Sequence, residues 1–81
     1  MAMDRYLREQ ISLGKNIRAV RKAAGLTQLD IEVRTGIDRA DISKIENGKK
    51  NIELYTIVKL AEAMEAELHQ FFPKKQSSNK Q

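Results

Sequence analysis

Eighty-one residues make one domain, with a core that supplies a few kcal/mol of net stability and is too small to enclose a large ligand cavity. With 41% hydrophobic and 32% charged residues the chain reads as a folded soluble domain; no apolar run approaches the roughly 20 residues needed to span a bilayer, and without cysteine there are no disulfides or thiolate metal sites. The net charge of +4 is concentrated: residues 15–50 hold nine Lys/Arg against five Asp/Glu, while residues 51–73 hold one lysine against four glutamates, so the basic segment favours a polyanionic partner.

Residues 1–11 form an N-terminal extension. They lack the basic, apolar and small-residue blocks of a secretory signal, so a cytoplasmic protein is expected. Met3, Leu7 and Ile11 recur every four residues and could extend helix 1 backward, with Gly14 as a weak point. Helix 1 is expected from about Ser12 to Ala24, with Leu13, Ile17, Val20 and Ala24 as its apolar stripe. Helix 2 opens at Thr27 as N-cap: Leu26 and Ile31 stand at the staple positions, and Asp30 at N3 approximates a capping box. Helix 3 repeats the device with Asp38 as cap, Ile37 and Ile42 as staple and Asp41 at N3. After the polar loop GKKN, helix 4 is expected from Leu54 to Met64, with Leu54, Ile57, Val58, Ala61 and Met64 facing the core. A fifth, shorter helical turn holds Leu68, Phe71 and Phe72, and Pro73 stops it. Residues 74–81 are an expected disordered basic tail, which leaves residues 12–73 as an all-α, compact five-helix domain with a helix-turn-helix at helices 2 and 3.

Helix 3, DRADISKIEN, carries the functional signal. At about 100° per residue, Ile42 and Ile45 define a buried side, and Arg39, Ala40, Ser43, Lys44 and Asn47 share the opposite arc. Asp38, Asp41 and Glu46 all fall beside the isoleucines, so the outward arc has no acid. Such a face can approach an anionic surface closely; a merely solvated helix face would show the same pattern.

The ordered set Ile17-Arg18, Arg21, Gly25-Leu26-Thr27-Gln28, Gly36-Ile37, Ile42-Ser43, Ile45-Glu46-Asn47-Gly48-Lys49 and TIVKLAEAM resembles the helix-turn-helix family of Cro and phage-repressor proteins, the xenobiotic-response-element type. The resemblance covers about Leu13 to Phe72 and implies a lambda-repressor-like fold that binds double-stranded DNA as a homodimer, with helix 3 in the major groove. Carried over residue by residue, it assigns base reading to Arg39, Ala40, Ser43 and Lys44, and phosphate binding to Gln28, Asn47, Lys49, Lys50 and Asn51. It also implies a structural ion pair between Arg21 and Glu46. The family usually has a small residue at the fifth position of helix 2, where this chain has Glu32: either the spacing of helices 2 and 3 changes, or the carboxylate turns outward toward Arg34, Arg39 or another cation, and a pair with Arg39 would have to break for base reading. Asn51 and Ile52 are similar to the restriction-modification controller subgroup.

An enzyme is not expected. The lone His69 has no ligand or triad partners, and Glu62, Glu65 and Glu67 read as a solvated face. Tyr6, Tyr55, Phe71 and Phe72 read as core or dimer-interface residues, with Leu68, Phe71 and Phe72 the first choice of interface and the Met3, Leu7, Ile11 stripe the second. The composite expectation is a cytoplasmic, nucleoid-associated transcriptional regulator, a repressor on a pseudo-palindromic operator, acting without cofactor or metal. The alternative is a protein-binding adaptor or antitoxin-like module on the same fold.

Overall fold

The computed structural model describes residues 2–74, with side chains from Asp4 onward. The expected tail beyond Lys74 and the Met3 side chain lie outside the described residues. Four α-helices, α1 (Ala2–Ala23), α2 (Gln28–Thr35), α3 (Arg39–Glu46) and α4 (Leu54–Met64), are followed by a single 3-10 turn, Leu68–Phe71. All ordered elements among the described residues are helical. None is long and apolar enough to cross a membrane.

Helix α1 takes the longer of the two forms left open for it. It is one continuous helix through the extension and through Gly14 rather than a helix beginning at Ser12. Gly14 is buried, and a Cβ there would fall against Ile45 O and 2.8 Å from Glu46 O. The glycine is thus the point where α1 and α3 touch backbone to backbone, and its cost in helix propensity is the cost of that approach.

Every element contributes to one core: Ile17 from α1, Ile31 from α2, Ile42 and Ile45 from α3, Ile57, Leu60, Ala61 and Met64 from α4, and Phe71 from the terminal turn. Three apolar positions expected to face the core fall outside it; of these, Val58 is half-buried without packing against the cluster. Ala24 lies exposed beyond the end of α1. Leu54, in the first turn of α4, is 67% exposed, and Leu60 supplies the buried leucine instead.

The expected fifth helix is a 3-10 turn, so the domain has four α-helices rather than five. Glu65 ends α4 in the left-handed conformation (φ 55°), and Pro73 closes the other side. The intervening Ala66–Phe72 is under two α-helical turns, too short to propagate and long enough for one i→i+3 turn. Its position is fixed by Phe71, which is fully buried, and by the Asn16 amide donating to Phe71 O at 2.9 Å.

Candidate nucleic-acid interface

The start of α2 is set by Thr27 and Asp30. The Thr27 hydroxyl accepts from Asp30 N at 3.0 Å, and the Asp30 carboxylate accepts from Thr27 N at 2.8 Å, a full capping box. The hydrogen bonds from the Thr27 backbone and side chain hold the Asp30 carboxyl below its usual range. Gly36 ends α2 at φ 81°, a left-handed turn that a Cβ would strain, and this turn redirects the chain into α3. The two helix starts are not the same chemistry. Asp38 accepts from Ala40 N at 3.3 Å, but the Asp41 carboxylate turns away from the cap and pairs with Lys50 at 3.3 Å.

Behind α3 lies the expected ion pair, buried and bidentate. Arg21 Nε donates to Glu46 Oε2 at 2.7 Å, Nη2 donates to Oε1 at 3.0 Å, and Nη1 donates to Leu26 O at 2.8 Å. The Arg21 pKa is raised, chiefly by the hydrogen bond to Glu46, against the opposing effect of burial. Gln28 joins this network by donating to Glu46 Oε1 at 3.0 Å. An amide has two N–H donors, so this tether orients Gln28 and leaves its second N–H available. Together with Ile42 and Ile45, the network fixes α3 on α1 and α2 through one face.

The opposite face carries the residues expected to read bases. Arg39, Ala40, Lys44 and Asn47 are exposed and Ser43 is half-buried, its hydroxyl 3.4 Å from the Asn47 amide. No acid of α3 enters this arc, but α2 contributes one at its edge. Glu32 Oε1 lies 3.0 Å from Arg39 Nε. Of the three partners open to Glu32, the structure selects Arg39; Arg34 instead donates to Ala63 O at 2.7 Å. Among the phosphate candidates, Lys49 and Asn51 are exposed, and Lys50 is engaged by Asp41.

The proposed interface residues separate. Phe71 is fully buried within its own chain and offers no surface, whereas Leu68 and Phe72 are 39% and 56% exposed. Tyr6 and Tyr55 are exposed rather than core residues, with Lys59 Nζ 5.4 Å from the Tyr55 ring centre. Tyr6, Leu13, Ile52 and Phe72 line a single groove, so the C-terminal turn and the N-terminal half of α1 belong to one surface. Among the contacts with no sequence signal are Lys50 to Asp41, and the Gln10 amide donating to Gly48 O at 2.9 Å, which anchors the extension to the loop after α3. His69 is exposed, and no His/Asp/Glu group among the described residues is arranged to hold a metal.

Two short helices joined through a left-handed glycine, the second pinned from behind and cationic in front, define a helix-turn-helix DNA-binding regulator. The helix-turn-helix family model matches residues 17–71, and the chain belongs to that family. It is 35% identical over 52 residues to an uncharacterized HTH-type transcriptional regulator of Sinorhizobium fredii, covering 64% of this chain and 68% of that one. It is 43% identical over 54 residues to the HTH-type transcriptional repressor RghR of Bacillus subtilis, covering 65% of this chain but only 40% of RghR. Among solved structures it is similar to the restriction-modification controller protein C.AhdI of Aeromonas hydrophila, with TM-score 0.76 and 32% identity over 80% of this chain and 98% of that one. It is also similar to the controller C.Esp1396I, solved as a tetramer in complex with its natural 35 base-pair operator, with TM-score 0.72 and 25% identity over 79% of this chain and 84% of that one. The family and these relatives are DNA-binding regulators, not enzymes.

Proposed function

We propose that the protein is a homodimeric transcriptional repressor of the cytoplasm and nucleoid that lays α3 in the major groove of a pseudo-palindromic operator. The observation that carries this reading is the outward arc of α3: Arg39, Ala40, Ser43, Lys44 and Asn47 face solvent together, while the three acids of the helix are used as a cap, a loop contact and a buried anchor. Arg39 suits guanine O6 and N7, the Ala40 methyl suits a thymine methyl, and Ser43 and Lys44 reach adjacent base edges. Gln28, Asn47, Lys49, Lys50 and Asn51 hold the flanking phosphates, with Lys50 exchanging Asp41 for phosphate or bridging the two. No cofactor is required. Two-fold pairing doubles the readout of a domain too small to be specific alone, and the groove lined by Tyr6, Leu13, Ile52 and Phe72 is the surface for it.

The test compares two variants on two duplexes. Arg39→Ala is expected to lose about 1 to 3 kcal/mol on the preferred site and little on random DNA, whereas Lys49→Ala weakens both alike and lowers the salt slope by about one. Equal losses for the two variants would remove Arg39 from the readers. Binding to a protein partner that is insensitive to salt, with no DNA affinity, would favour the adaptor reading.

A further inference from the structure

We propose that Glu32 is a positioning residue that sets the guanine preference of Arg39, an inference that rests on α3 being the reading helix. Glu32 stands at the fifth position of α2 and Arg39 is the first residue of α3, so the pair bridges the two helices at the edge of the proposed reading face. The contact is made at Nε, the inner nitrogen of the guanidinium, at 3.0 Å. That leaves the outer edge, Nη1 and Nη2, to span guanine O6 and N7.

The neighbourhood makes this pairing selective. Arg34, two residues from Glu32, is turned toward α4 by its bond to Ala63 O, Asp38 is occupied with Ala40 N, and Asp41 is occupied with Lys50. Both partners keep solvent access, with side-chain exposures of 59% for Arg39 and 34% for Glu32. An arginine free in solvent must be ordered when it meets a base, and that entropy loss blunts discrimination; an arginine already braced on a carboxylate loses less. Exposed pairs of this kind add little to folding stability, so removing the carboxylate reports on DNA binding rather than on the fold. The carboxylate also brings negative charge near phosphates, which weakens binding to every duplex equally. Glu32 therefore trades general affinity for preference at one base pair.

The experiment measures affinity for a duplex obtained by selection from a random pool and for the same duplex with the guanine facing Arg39 replaced. Wild type, Glu32→Gln, Arg39→Ala and the double variant are compared, with thermal melts to verify folding. Glu32→Gln is expected to bind random DNA more tightly, while its preference for the guanine falls by about three- to tenfold, within the coupling range of contacting side chains. In the Arg39→Ala background the same change leaves the preference unaltered. If Glu32→Gln keeps or increases the preference while Arg39→Ala abolishes it, the positioning role is overturned and α3 remains the reader. If Arg39→Ala itself costs no base preference, Arg39 is not a reader and this inference fails with it; if selection returns no preferred duplex at all, the reading of α3 fails as well.

Discussion

Replacing Gly14 with alanine sets two effects of opposite sign against each other. Within α1, alanine is favoured over glycine by about 1 kcal/mol, because glycine loses more backbone entropy on entering a helix. Across the helix pair, the added Cβ would meet Ile45 O and come within 2.8 Å of Glu46 O and 3.0 Å of Glu46 C. These are backbone atoms of the last turn of α3, so no side-chain rotation relieves the clash; α3 must move away from α1. Overpacking of this kind costs about 1 to 3 kcal/mol, and more where backbone must shift. Displacing α3 also stretches the two hydrogen bonds between Arg21 and Glu46, now 2.7 and 3.0 Å. The clash therefore outweighs the propensity gain, leaving Gly14→Ala about 1 to 2 kcal/mol less stable, a fall in Tm of about 5 to 15 °C for a domain of this size. Urea denaturation followed by far-UV circular dichroism measures it. A variant more stable than wild type by about 1 kcal/mol would refute the close approach of α1 and α3.

Arg21→Ala leaves the Glu46 carboxylate buried without its partner, so it is expected to lose about 3 to 5 kcal/mol in the same denaturation assay, far more than loss of an exposed pair such as Arg5 with Glu9. Thr27→Ala removes the hydroxyl that caps α2 and is expected to cost about 1 kcal/mol by thermal melting. Because the Asp30 carboxyl is held below its usual range in the folded state, its stabilising effect is present above the ordinary carboxylate pKa and lost as pH falls through the lowered folded value. The stability difference between wild type and Asp30→Asn should accordingly be constant near neutral pH and shrink in that acid window. Phe71→Ala empties a fully buried site and is expected to destabilise by about 3 to 5 kcal/mol, whereas Phe72→Ala should leave the monomer fold intact and shift the dimer equilibrium in sedimentation.

Local rules made the start of α2 and the buried side of α3 legible in the sequence, because a cap and the spacing of Ile42 and Ile45 each act within a few residues. The Arg21–Glu46 pair spans 25 residues and was reached through family resemblance, since no local rule connects α1 to α3. Gly14 is a weak point by propensity alone, and the sequence leaves open whether helix 1 runs through it, because what a helix tolerates there depends on what packs against it, which is a tertiary fact. The same holds for Phe71 and Phe72, adjacent aromatics of which one fills the core and one faces solvent. A 3-10 turn reorients side chains every residue, so composition could not say which was which. Glu32 stood out as an unusual residue at its position, and its choice of Arg39 over Arg34 was decided by a carbonyl of α4 that captures Arg34.

The most direct measurement is selection of duplexes from a random pool by the full chain at low salt, followed by sequencing of what is bound and titration of the winner against salt. A dimer that lays α3 in the major groove is expected to enrich a pseudo-palindrome with half-sites about one helical turn apart, roughly 34 Å, and to bind it with an affinity that falls steeply as salt rises. Recovery of no enriched palindrome, or of binding indifferent to salt, would contradict this reading.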